Sequence, residues 1–103
     1  MKKYKVYCAF GRIDESGRKH ELIAVENGWD IDEATNRLRK AVRTDVLGME
    51  KYQRGYTVAV SALDIADEYS EVNQYAYRIR ATIYPDYGPK NDVIDYGVIE
   101  EDE

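Results

Sequence analysis

His20 and Cys8 are the only histidine and the only cysteine among 103 residues. Acid–base or nucleophilic chemistry would fall to these two or to carboxylates, tyrosines and arginines. His20 sits beside Arg18 and Lys19 in a turn-like stretch and reads as an exposed turn histidine rather than a general base. Cys8 lies inside an alternating apolar segment. A reactive thiol needs a neighbouring base or a helix N-terminus to lower its pKa, so a buried strand position is the simpler reading. Asp30, Asp32 and Glu33 offer the oxygen ligands that a hard cation takes. The glycine and further ligands of a calcium loop are missing, however, and helix capping accounts for the same three residues. The chain contains no phosphate-binding glycine loop, dinucleotide fingerprint, Cys/His metal spacing or nucleophile elbow. The expectation is a protein without catalytic residues, metal or cofactor, and not an enzyme.

Charge provides two candidate binding sets. Arg37, Arg39, Lys40 and Arg43 recur along one segment, and Arg78 and Arg80 alternate in another. Such clusters can contact phosphates, with nearby aromatics stacking on bases. A net charge of −5 argues against a strong nucleic-acid binder, which presents a basic field. The second set is acidic. Residues 92–103 hold six acids and no base: Asp92, Asp95, Glu100, Glu101, Asp102 and Glu103. Acids in series can fill a basic groove in place of phosphates. The two halves differ in sign. Residues 1–56 hold 12 Lys/Arg against 9 Asp/Glu, whereas residues 57–103 hold 3 against 11. This asymmetry marks either an interaction surface or mutual attraction within the fold.

Ten tyrosines stand against one tryptophan and one phenylalanine. Tyrosine suits half-buried strands and interfaces alike. Tyr4, Tyr75 and Tyr77 share faces with aliphatic residues and are assigned to the core or its rim. Tyr84, Tyr87 and Tyr96 are assigned to a partner surface with the acids of residues 92–103.

The elements that would position these groups follow from periodicity. Residues 3–13 alternate, with Tyr4, Val6, Cys8 and Phe10 on one face, and residues 19–27 form a second strand; a turn at 14–17 makes a hairpin of the two. Asp30 is a helix cap with Glu33 at the reciprocal position. Ile31, Ala34, Leu38, Ala41 and Val42, extended by Val46, form an apolar stripe at helical spacing. Gly48 suits a left-handed helix end. Residues 56–62 and 74–84 are further strands, the last ended by Pro85. Asp64 to Asn73 is a loop or short helical turn. Val93–Ile99 adds a short edge strand, and residues 100–103 form a mobile acidic tail.

The fold class is therefore α+β: an antiparallel four- to five-stranded sheet in the order β-β-α-β-β, with one amphipathic helix on one face, in a single domain over residues 1–99. Val6, Cys8, Phe10, Val58, Val60, Ile79 and Ile83 should receive Ile31, Leu38, Ala41 and Val42. One helix covers one face of a sheet. The other face, carrying Tyr and Arg, must be solvated, covered by the tail or pressed against a partner.

No apolar run approaches the roughly 18 residues of a membrane span, and the N-terminus lacks a signal-peptide apolar region. With the lone cysteine this places the protein in the cytoplasm. In general character the chain resembles accessory proteins of phages and mobile elements, which implies an acidic inhibitor of a nucleic-acid-handling protein. The expected function is a non-enzymatic protein-binding module, a homodimer included. The alternatives are a nucleic-acid binder using the basic helix face, and a small enzyme or ligand sensor without a recognisable motif.

Overall fold

A computed structural model describes residues 1–8, 21–65 and 75–102. Phe10, the 14–17 turn, His20, residues 66–73 of the acidic stretch and Glu103 lie outside the described residues. Among the described residues, six strands and one α-helix follow in the order β1 (Lys2–Tyr7), β2 (Leu22–Gly28), α1 (Ile31–Leu47), β3 (Tyr56–Val60), β4 (Asp64–Ile65), β5 (Tyr77–Pro85) and β6 (Asp92–Asp102). All pairings are antiparallel, in the spatial order β2-β1-β6-β5-β3, with the two-residue β4 also on β5. The fold is α+β, with one helix on a curled antiparallel sheet.

The helix starts where its capping chemistry requires. Asp30 is extended and accepts a hydrogen bond from the Glu33 amide at 2.9 Å. Ala34, Leu38, Val42 and Val46 recur every four residues and are fully buried. Ile31 and Ala41 are only half-buried, so the fully buried stripe is narrower than the 3-4-3 spacing suggests, though it does extend to Val46. Gly48 is not left-handed; it continues the right-handed turn at φ −79°, its amide donating to the carbonyls of Thr44 and Asp45. Thr44 and Asp45 thus have their helix-end carbonyls satisfied without a left-handed residue.

Period 2 sorts the strands as expected. Tyr4, Val6, Cys8, Val58, Val60, Ile79, Ala81 and Ile83 are buried on the helix side. Each buried aliphatic side chain contributes about 1.5–3 kcal/mol by leaving water.

The C-terminal segment differs most from expectation. It is not a short edge strand with a mobile acidic tail, because an eleven-residue strand continues through Glu100, Glu101 and Asp102 between β1 and β5. Two forces hold it there. Ile94, Tyr96 and Val98 enter the core, while Asp95 and Gly97 are buried on the reverse face. At its acidic end, Lys2, Lys3 and Tyr4 of β1 pair with Asp102, Glu101 and Glu100. Opposite charges across adjacent strands are favourable, so the charge asymmetry of the two halves is expressed in the ladder itself.

Between α1 and β3, a single 3-10 turn at Glu50–Tyr52 buries Tyr52. Its ring meets Tyr56 edge-on at 5.2 Å and its hydroxyl donates to Asp92 at 2.8 Å. Gly55, at φ +80°, makes the following bend that few other residues would accept.

Candidate protein-docking edge

The proposed acidic and tyrosine set is not brought together. Asp92 and Glu100 are eight residues apart on one strand, hence about 27 Å at 3.4 Å per residue. At one end, Asp92 accepts from Tyr52 and pairs with Lys51 at 3.2 Å. At the other, Glu100 pairs with Lys2 and accepts from Tyr77 at 3.1 Å, Glu101 pairs with Lys5 at 3.1 Å, and Asp102 lies 3.9 Å from Lys2. Asp95 is buried beneath Arg80. Tyr96 is a core residue whose hydroxyl donates to Asp45 of α1 at 2.6 Å. Only Tyr84 and Tyr87 of this set are strongly exposed aromatics. The acids hold the fold together rather than forming a free polyanionic tail.

The proposed basic set divides likewise. Arg78 and Arg80 lie on the sheet's reverse face, paired with Asp64 at 3.1 Å and Asp95 at 2.7 Å. The helix arginines grip main chain. Arg39 donates to the carbonyls of Val60 and Ser61 at 2.9 and 3.1 Å, and Arg43 donates to that of Val58 at 2.9 Å. Spaced i and i+4, the two guanidiniums line the outer edge of β3. On the other side of the helix, Arg37 donates to the carbonyl of Asn27 on β2. Lys40 is exposed.

These contacts make the two sheet edges unequal. Exposed strand edges invite further strands, and proteins blunt them with charge or covering elements. Two carbonyls of β3, and that of Ser61 just beyond it, are taken by arginine. On β2 the only such bond among the described residues is at Asn27, near the strand's end. An open groove of about 670 Å³ runs beside β2, between Ile23, Ala24 and Glu26 and the helix residues Arg37, Lys40, Ala41, Thr44 and Asp45. Leu22 and Val25 of β2 are 46 % and 44 % exposed, and Trp29, just beyond it, is 67 % exposed. The sequence shows these residues but not that β2 is an edge, because strand order is set by distant pairing.

The reverse face carries one close contact that alternation misplaces. Tyr75 does not continue the Tyr77–Ile79 row. It precedes β5, and its ring lies on Gly97, where a β-carbon would stand 2.3 Å from it, while meeting Tyr7 edge-on at 5.7 Å. Burial there pushes the Tyr75 phenol up to about 12, and burial also raises Tyr4 and Tyr77. At the sheet's acidic end, the hydrogen bond from Lys2 holds the Glu100 carboxyl below its ordinary range.

These shifts fix the alkaline behaviour. An unfolded tyrosine ionises near pH 10, whereas the folded state holds these phenols neutral. Stability is therefore fully present below pH 10 and is lost as pH rises from there toward about 12 for Tyr75. Phenolate absorbance followed together with circular dichroism checks this. Late-ionising tyrosines should appear only as the fold is lost; ionisation of all tyrosines near pH 10 with the fold intact contradicts it.

Comparison with protein families, with curated proteins and with solved structures finds no match. No helix among the described residues is long and apolar enough to cross a membrane.

Proposed function

We propose that the chain is a non-enzymatic protein-binding module that accepts an extended strand of a partner at the edge of β2. The unequal treatment of the two sheet edges carries this reading: arginines occupy the β3 edge, while β2 borders a groove and exposed apolar side chains. Strand addition of this kind draws affinity from main-chain hydrogen bonds and specificity from alternate side-chain pockets. Cys8, the one cysteine of the sequence, is buried, which fits action in the reducing cytoplasm.

Two other readings have less support. An inhibitor using the C-terminal acids as a phosphate mimic would have to work with carboxylates already paired to Lys2 and Lys5. A nucleic-acid binder using the helix would draw on arginines already bound to carbonyls.

A photo-reactive residue placed at Val25, and separately at Thr57 on β3, tests the proposal in native extract treated with nuclease. Protein cross-links from Val25 and none from Thr57 are expected. Cross-links only from Thr57, nucleic-acid adducts, or none from Val25 overturn it.

A further inference from the structure

We infer that the strand received by β2 is β2 of a second copy, the two chains pairing antiparallel about a two-fold axis at Val25. The inference rests on the reading of β2 as the docking edge and names its occupant.

A symmetric dimer requires one surface to be complementary to itself, and β2 meets this requirement in three ways. The first is main chain. Asn27 turns its carbonyl toward Arg37 rather than toward β1. Strands repeat every two residues, so Val25 presents its amide and carbonyl to the same outer side. Val25 is also the middle of Leu22–Gly28, so this axis centres the pairing on the strand, between the irregularity at Ile23 and the Asn27 carbonyl that Arg37 holds. An axis one residue further on would set Glu26 against its own copy, which is unfavourable.

The second is apolar area. Leu22, Val25 and Trp29 are exposed. The same register sets Val25 against Val25 of the other copy, and it brings Trp29 alongside Leu22, because Leu22 then faces Gly28, the residue just before Trp29. Exposed apolar surface at both ends and at the centre is thus covered in one step. Trp is among the residues that most often anchor interfaces.

The third is charge. Glu26 faces Ala24 of the other copy in this register. Ala24 lines the groove together with Lys40 and Ala41. Glu26 and Ala24 pair with Tyr4 and Val6, whose side chains point to the helix side, so Glu26, 3.9 Å from Arg37 of its own copy, lies at the groove mouth where Lys40 of the other copy can share it. The contact occurs twice by symmetry. A groove lined by both Glu26 and Lys40 suits a copy of itself better than a partner of single sign.

Sedimentation equilibrium of the full chain, from low micromolar to several hundred micromolar, tests the inference. The mass should rise from 11.9 kDa toward twice that value. Val25→Lys sets two ammonium groups on the axis and should leave a monomer with unchanged circular dichroism. Glu26→Lys and Lys40→Glu should each weaken dimerisation by about tenfold or more, and together restore it. Hydrogen exchange on the unaltered chain gives a readout that no variant's folding can obscure: protection of the Val25 amide should grow with concentration. A monomer throughout, a dimer indifferent to Val25→Lys, or concentration-independent exchange at Val25 overturns the homodimer. If in that case Val25 still cross-links to a different protein, the docking edge stands and only its occupant is wrong; if Val25 cross-links to nothing, both fall.

Discussion

Replacing Arg39 and Arg43 together by alanine is expected to lower unfolding free energy by about 3 kcal/mol and to make the protein associate through β3. The two side chains make three charge-assisted hydrogen bonds to the carbonyls of Val58, Val60 and Ser61. Such bonds contribute roughly 1.5–3 kcal/mol each when shielded. The edge is partly open, so water recovers some of this when the guanidiniums leave, and about 1 kcal/mol for each bond is the fitting scale. The second effect has a different origin. With its arginines gone, β3 becomes a bare strand edge, able to pair with other chains. Denaturant unfolding at unchanged slope reports the first effect, and light scattering during refolding reports the second. Arg39→Lys should recover only part, because one ammonium cannot fork across two carbonyls as the planar guanidinium does. Equal stability of the double variant and the parent would show that these arginines are free surface residues. The same substitutions bear on nucleic-acid binding. A gel shift lost on charge reversal of Arg39 and Arg43 must be judged against the fold, since the reversal also removes the edge contacts.

The sequence makes some parts of this fold plain and conceals others for physical reasons. The helix is legible because its signals are local: an aspartate cap, first-turn acids and a four-residue apolar repeat lie within one segment. Strand faces in β1 and β5 are legible because one face is core and the other is not, which produces clean alternation. β6 breaks that rule. Its middle is buried on both sides, so the alternation of Ile94, Tyr96 and Val98 with Asp95 and Gly97 marks a strand but gives no sign that the strand is central rather than an edge. The clue to its position was elsewhere, in Lys2, Lys3 and Lys5, the counterparts of Glu100, Glu101 and Asp102. Tyr75 escaped for a related reason: alternation holds only inside a strand, and Tyr75 precedes β5. The candidate edge was hidden altogether. Which carbonyls Arg37, Arg39 and Arg43 reach depends on strand order and on how α1 crosses the sheet, and neither has a local signature. The exposed residues Leu22, Val25 and Trp29 are visible as types, but their significance comes from the edge they occupy.

Replacing Arg80 by alanine should cost more than replacing its partner Asp95, although both changes break the same ion pair. Asp95 is 2 % exposed on the central strand, and its two carboxylate oxygens take the Nε and Nη2 hydrogens of Arg80 at 2.7 and 3.2 Å. Without Arg80, a buried carboxylate loses its fork. Breaking a buried pair in this way costs about 3–5 kcal/mol. The Arg80 side chain is 41 % exposed, so water can enter from its side, and about 2–3 kcal/mol is the expected loss. Removing Asp95 instead leaves a guanidinium already in contact with solvent, at about 1 kcal/mol. Changing both residues should therefore be milder than changing Arg80 alone, with a coupling well outside additivity. The pair also guards register. Asp95 stands opposite Arg80 in the β5–β6 ladder, between the core residues Ile94 and Tyr96. Sliding β6 by one residue would turn the carboxylate into the apolar core beneath α1 and lift Ile94 and Tyr96 out of it. The Arg80→Ala variant should thus lose its preference for one pairing as well as stability, seen as faster hydrogen exchange along β6 before global unfolding. A double-mutant cycle in denaturant decides the matter: equal and additive costs for the two single changes would mean that the pair neither shields the carboxylate nor fixes the central strand.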